Sequence, residues 1–307
     1  MNTRLKQLIG AATIVATCAF AAATTGSSAS ADDTPHVHSQ HTRGHLQTDP
    51  LPGLPVGTAV VAGNGISYHN GPVMRGTVNT YIIWYGTWTA PKKTILTTFL
   101  KNVGGSPYYL INTTYGDTVG LVSGATTLAG ETTDNYSQGN KNLSDSAIQK
   151  IVTSAITTNR LPKDANAVYF VFTSADVTKS GFLTSYCGWH TYTTVNATNI
   201  KFSFVGDPTG TKLGNCAQQT AKSPNGDPGA DAMVSVVAHE LEEAVTDPNL
   251  NAWYDSTGAE NADKCAWKFG STTTLPSGAL YNMTIGGLNY LVQQNWVNAN
   301  GGACALK

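Results

Sequence analysis

Charge is scarce in this sequence: only 12% of its 307 residues are Asp, Glu, Lys or Arg, and the formal net charge is −1. With no basic surface there is no electrostatic footprint for a nucleic acid or an anionic membrane, so neither is expected as a partner. Beyond the first two dozen residues there is no apolar run long enough to span a bilayer. C-x-x-C is missing, which argues against a zinc site made of thiolates. Gly-x-Ser-x-Gly and a phosphate-cradling glycine loop are missing too, which sets aside the serine-hydrolase elbow and the P-loop proteins.

The chain opens with an export signal. Arg4 and Lys6 give a positive start, Leu8 to Ala23 is apolar and uncharged, and Ala29-Ser30-Ala31 is the small-x-small pattern a signal peptidase needs before Asp32. Residues 1–31 are therefore expected to be cleaved. The remainder, about 275 residues, is enough for one large domain or two modest ones, released to the outside with no membrane association. Cleavage removes Cys18 and leaves Cys187, Cys216, Cys265 and Cys304. An even count in an exported protein predicts two disulfides. Of the three pairings, Cys187–Cys216 with Cys265–Cys304 is favoured because each closes a local loop. Asn112, Asn135, Asn142, Asn196 and Asn282 head glycosylation sequons, which matter only in a host that uses them.

Residues 32–60 read as a His/Pro/Gly-rich disordered leader, with His36, His38, His41 and His45 in a stretch too polar to build a core. A folded domain is expected over 61–307. Gly76 to Gly86 is β-branched and aromatic between glycines, which predicts a central strand. Pro91 to Val103 predicts a helix, 106–115 a short one and 119–129 a strand. Ser144 caps a predicted helix running to about Thr158, and Ala167 to Thr173 is a continuous apolar strand of the kind buried on both faces. Phe202 to Val205 adds another strand. A helix is predicted over 231–246, with Asp231 as N-cap and Pro248 as stop. Strands and helices alternate, so the fold class expected is α/β or α+β, a mixed β-sheet flanked by helices.

That last helix carries His239-Glu240-Leu241-Glu242-Glu243, an H-E-x-x-E. Residues four apart share a helix face, so His239 and Glu243 can point at one ion. Zinc accepts imidazole nitrogen and carboxylate oxygen, and a catalytic zinc keeps three protein ligands and one open position. Glu240 is placed to take a proton from a bound water, as the glutamate of H-E-x-x-H does. The third ligand has to come from chain that turns back after Pro248, because Asp247 lies ~12 Å along the axis from His239. Glu260 is the first choice, with Asp263 and Asp255 as alternatives and Tyr254 as an oxyanion partner. His69 and His190 read as structural or surface histidines. The site residues expected are thus His239, Glu243 and Glu260 for Zn2+, and Glu240 for catalysis. They describe a zinc-dependent peptidase acting on peptides; the competing account is a solvated polar helix face.

Several segments together carry a resemblance. Tyr68-His-Asn-Gly-Pro-Val73, Ile83-Trp-Tyr-Gly86, Asn135-Tyr-Ser137, Tyr186-Cys-Gly188, Pro228-Gly-Ala-Asp-Ala-Met233 and Asn300 to Cys304 follow one another as in the phosphate-induced, Exordium-like family. The chain resembles that family from about residue 60 onward. The resemblance implies secretion, a shared fold and a non-catalytic role in cell-wall interaction or growth signalling. Separately, His239 to Glu243 with Trp253-Tyr-Asp255 and the Glu260 segment is similar to zincin-type metallopeptidases over about 30 residues.

Overall fold

A computed structural model describes residues 64–307 and the backbone of one earlier strand, β1 (His38–His41). The expected export signal and most of the expected leader lie outside the described residues. β1 falls within that leader.

β2 (Ser67–Tyr68) leads into β3 (Val78–Tyr85), whose Val78, Ile82 and Trp84 enter one core and Tyr81, Ile83 and Tyr85 another. This is the two-sided burial expected of a central strand. α1 (Ala90–Asn102) begins with Pro91 in its first turn, where the missing N–H costs nothing. A short 3-10 turn, Tyr109–Thr114, follows. β4 (Thr126–Asp134) starts seven residues later than the predicted 119–129 strand. Its Thr-rich alternation of covered and open residues marks a strand with one solvated face, a weaker signal than a continuous apolar run.

Ser144 caps α2 (Asp145–Thr157) through Ala147 N–H, as its position predicts. β5 (Ala167–Thr173) is buried at all seven positions. β6 (Tyr186–Val195) and β7 (Thr198–Gly206) form a hairpin, of which the sequence indicated only the Phe202 to Val205 part. α3 (Pro228–Thr246) precedes a two-residue strand, β8 (Trp253–Tyr254), paired with β2.

The six-stranded sheet runs β1-β6-β7-β5-β3-β4. β4, β3, β5 and β7 are mutually parallel along that order, while β6 and β1 are antiparallel to their neighbours, so the sheet is mixed. α1 and α3 cover one face and α2 the other. Among the described residues, no helix is long and apolar enough to cross a membrane.

Two disulfides form, Cys187–Cys216 and Cys265–Cys304, in the pairing favoured by local closure. The second ties the segment after α3 to the last short ribbon, Asn295–Val297 with Ala303–Ala305. Both suit an oxidising compartment. Cys265→Ser with Cys304→Ser releases a constraint across 39 residues of chain. The expected cost is about 4 kcal/mol in the chain-entropy picture, seen as a fall in Tm of roughly 10 °C by calorimetry.

Candidate metal centre

The helix that carries H-E-x-x-E starts three residues before the predicted N-cap. Asp227, not Asp231, is the cap: its side chain accepts from Ala230 N–H, and Pro228 occupies the first turn. Asp231 is instead held by Asn225, through the backbone N–H at 2.9 Å and the side-chain Nδ2 at 2.6 Å. Lys92 on α1 bonds Asp207 at 2.7 Å and Asp227 at 3.0 Å, which fixes the start of α3 to the end of β7.

α3 is buried around its whole circumference, so the solvated-face account of its charges does not hold. His239, Glu240, Glu242 and Glu243 are each 0% exposed. A helix in such a position ordinarily presents apolar residues, and each carboxylate here needs compensation to be there.

Close contact with β6 supplies part of it. Gly188 lies directly against α3: a Cβ there would stand 2.5 Å from Val236 Cγ1 and 3.1 Å from Glu240 Oε1. Two positions on, along the same strand face, His190 meets the helix. Its Nδ1 is 3.4 Å from Glu240 Oε2 and 3.5 Å from Glu243 Oε2, and its Nε2 is 3.7 Å from Glu260 Oε1. Gly188→Ala is expected to lose about 1–3 kcal/mol through overpacking and to displace the Glu240 carboxylate. Urea titration of the variant beside wild type measures it.

The other side of Glu243 faces the chain that returns after the helix. Asp247 turns that chain by accepting from Asn251 and Ala252 N–H at 2.6 and 2.7 Å. β8 then pairs with β2, and the 3-10 turn Asp263–Cys265 brings Asp263 beside the helix. His239 Nε2 lies 2.9 Å from Glu243 Oε1 and 3.3 Å from Asp263 Oδ1, while Asp263 N–H donates to Glu243 Oε1 at 3.1 Å. The result is two triads sharing Glu243. His239, Glu243 and Asp263 make one; His190, Glu240 and Glu243 make the other. In each, the donor atoms lie within 4.8 Å of one another.

The imidazole–carboxylate contacts among these are not ordinary hydrogen bonds. Both nitrogens of His190 and of His239, both oxygens of Glu240 and Oε2 of Glu243 are buried with no hydrogen-bond partner. Burial alone would deprotonate His190, but Glu240 and Glu243 outweigh it and hold the ring up to about 10 when no cation is present. Burial likewise opposes charge on His239, and Glu243 and Asp263 prevail, raising it well above its ordinary value. Burial pushes Glu240 up to about 7. Glu243 is held below the usual carboxylate range, since the two rings on either side overcome its burial. Burial, with the neighbouring carboxylates, pushes Glu260 well above that range.

The sequence expectations fare unequally in this geometry. His239 and Glu243 do converge. Asp263, an alternative, stands where Glu260 was expected, and Glu260 lies across the cluster beside His190. Glu240, expected to act at the His239 ion, turns its Oε2 to His190. Asp255 is occupied elsewhere, accepting from Thr257 and Ala259 N–H and pairing with Lys264 at 3.0 Å. Tyr254 stacks on His69 with ring centroids 3.6 Å apart, which gives both a structural place. His190 was missed as a site residue. Its signal was the alternation Cys187-Gly-Trp-His190, which puts Gly188 and His190 on one strand face.

The comparisons with known proteins agree with the segment-by-segment likeness. The family described as "Phosphate-induced protein 1 conserved region" matches residues 66–305. EXORDIUM-like 5 of Arabidopsis thaliana is 33% identical over 281 residues, covering 78% of this chain and 77% of its own length. EXORDIUM-like 3 of the same plant is 30% identical over 269 residues, covering 75% and 80%. PHOSPHATE-INDUCED 1 of Nicotiana tabacum is 24% identical over 223 residues, covering 62% and 67%. No solved structure matches the chain. With nearly all of the described domain matched, the chain belongs to the phosphate-induced, Exordium-like family.

Proposed function

We propose that this is an exported, non-hydrolytic metalloprotein. In it, His239 Nε2, Glu243 Oε1 and Asp263 Oδ1 hold a divalent cation, Zn2+ in the first instance, that fastens α3 to the returning chain. Imidazole and carboxylate suit zinc, and the same donor set admits Mn2+ or Fe2+.

The observation that carries the reading is a spacing. Donors ~2.1 Å from a tetrahedral zinc stand ~3.4 Å apart, or ~3.0 Å where the angle closes toward a right angle. His239 stands 2.9 Å from Glu243 and 3.3 Å from Asp263, without the alignment of a hydrogen bond at either. Charge-assisted hydrogen bonds would be aligned and settle at ~2.7–2.9 Å. The polyhedron of an ion accounts for the 3.3 Å separation from Asp263 and for the lack of alignment at both contacts, while the 2.9 Å separation from Glu243 is common to both readings.

Burial supports a structural ion over a hydrolytic one. A peptidase needs a peptide carbonyl and a water beside the metal within reach of Glu240, and His239, Glu240 and Glu243 are all 0% exposed. Asp263, with a side chain 14% exposed, is the ligand nearest to solvent. Recognition of peptide or cell-wall components would then fall to the outer surface, in keeping with a non-catalytic extracellular role. Export is supported by the signal pattern over residues 1–31 and by the two disulfides.

The experiment is metal analysis of the purified mature chain, with peptide-cleavage assays run alongside. Bound zinc that is lost in His239→Ala and in Asp263→Asn is the expected result, with no cleavage above background. A fully folded protein without metal and indifferent to chelator would defeat the metal reading. Cleavage abolished by Glu240→Gln would replace it with the peptidase.

A further inference from the structure

We propose that the centre takes a second divalent cation, held by His190 Nδ1, Glu240 Oε2 and Glu243 Oε2, so that Glu243 bridges two ions. This deepens the reading above and rests on the His239–Glu243–Asp263 ion.

The two oxygens of Glu243 are already divided between two sets of donors. Oε1 faces His239 and receives Asp263 N–H, while Oε2 faces His190. A carboxylate used in this way places two ions about 3.5–4 Å apart, the spacing of two-metal sites in general. In the second triad His190 Nδ1 stands 3.4 and 3.5 Å from its two carboxylate oxygens. Those values match the ~3.4 Å edge of a tetrahedron of ~2.1 Å bonds and exceed a charge-assisted hydrogen bond.

Two features point to an occupant there. His190 is 0% exposed, and its Nδ1 is aimed between two carboxylates without making a hydrogen bond. Its Nε2 lies 3.7 Å from Glu260 Oε1, which places a carboxylate where a metal-bound histidine is commonly oriented from behind, although no hydrogen bond is made at that distance. The enclosed ion would join β6 to α3, and the ion beside Asp263 would join α3 to the return segment.

The test is stoichiometry of the full mature chain loaded with Zn2+ alone, dialysed, and measured by inductively coupled plasma mass spectrometry. Wild type should carry two zinc ions per chain. Glu240→Gln, which keeps the shape of the side chain, should carry one, and so should His190→Ala. Near-ultraviolet circular dichroism identifies any variant that has failed to fold, and Glu240→Gln decides if His190→Ala does not fold. One ion in wild type, lost in Asp263→Asn but kept in Glu240→Gln, would overturn the second ion and leave the first intact. One ion lost in both variants would mean a single shared ion and would overturn the proposal. Two ions retained in both Glu240→Gln and His190→Ala would overturn the ligand assignment. Absence of zinc from folded wild type would overturn this inference and the reading beneath it together.

Discussion

Chelation of the native protein is expected to lower its unfolding free energy by about 5 kcal/mol, measured against protein with free ion held ~10,000-fold above Kd. The reason lies in where the ligands are. Glu240, Glu243 and His239 are wholly buried, so water cannot replace a lost cation as the compensating charge. The companion variant is Glu243→Ala. Glu243 is the one residue common to both triads, and its removal takes a ligand from each. It should abolish metal binding and cost about 3–5 kcal/mol in metal-free protein as well, because His239 and His190 lose the carboxylate between them. Denaturant titrations of both proteins, with and without chelator, make a two-by-two comparison. Wild type should respond to chelator and Glu243→Ala should not. Equal curves for wild type with and without chelator would remove the cation from the account and leave a buried network of protonated histidines and carboxylates.

Much of this centre was readable from residue order, and the part that was not has a physical cause. His239 and Glu243 were accessible because helical spacing is a local rule: four residues fix the shared face whatever else the chain does. The disulfides were accessible because few cysteines remain and each has a near neighbour in sequence. β5 was accessible because a strand buried on both faces is apolar without interruption. The choice between Glu260 and Asp263 turned on a 3-10 turn whose direction no local pattern specifies, so both acids were in view and their places were exchanged. His190 depends on a different kind of fact, namely which strand the helix lies on. Sheet order brings β6 under α3, and sheet order is set by long-range packing rather than by the sequence of β6. The alternating Gly188 and His190 mark a face that needs close approach and a polar side chain. They do not say what approaches. The start of α3 is itself a local signal, since Asp227-Pro228 is a strong cap-and-first-turn pair lying ahead of Asp231.

The metal-free and metal-loaded proteins should respond to pH over different ranges, one losing stability above about pH 6.5 and the other gaining it below. Without a cation, the surrounding carboxylates raise His190 to about 10 and His239 well above its ordinary value. An imidazole whose folded value is raised stabilises the fold fully below its unfolded value of about 6.5, and that contribution drains away as pH climbs toward the folded value. Metal-free protein should therefore weaken on going from pH 6.5 toward 10, on the order of 1 kcal/mol per pH unit for each ring. In the loaded protein the rings are neutral ligands. Its competitor is the unfolded chain, which gains protons on histidine only below about pH 6.5, so stability should rise up to that point and then level. The difference between the two curves is the metal affinity, which must increase with pH because binding expels protons from the rings. Calorimetric titration of Zn2+ into chelated protein at pH 7.5, in buffers of different ionisation enthalpy, should report roughly two protons released for a fully loaded centre. Glu240, pushed by burial to about 7, adds a fraction of a proton to that count at pH 7.5. Release of no protons would mean that neither the rings nor the ligating carboxylates carry a proton before the ion binds, and would remove the protonated rings from the account.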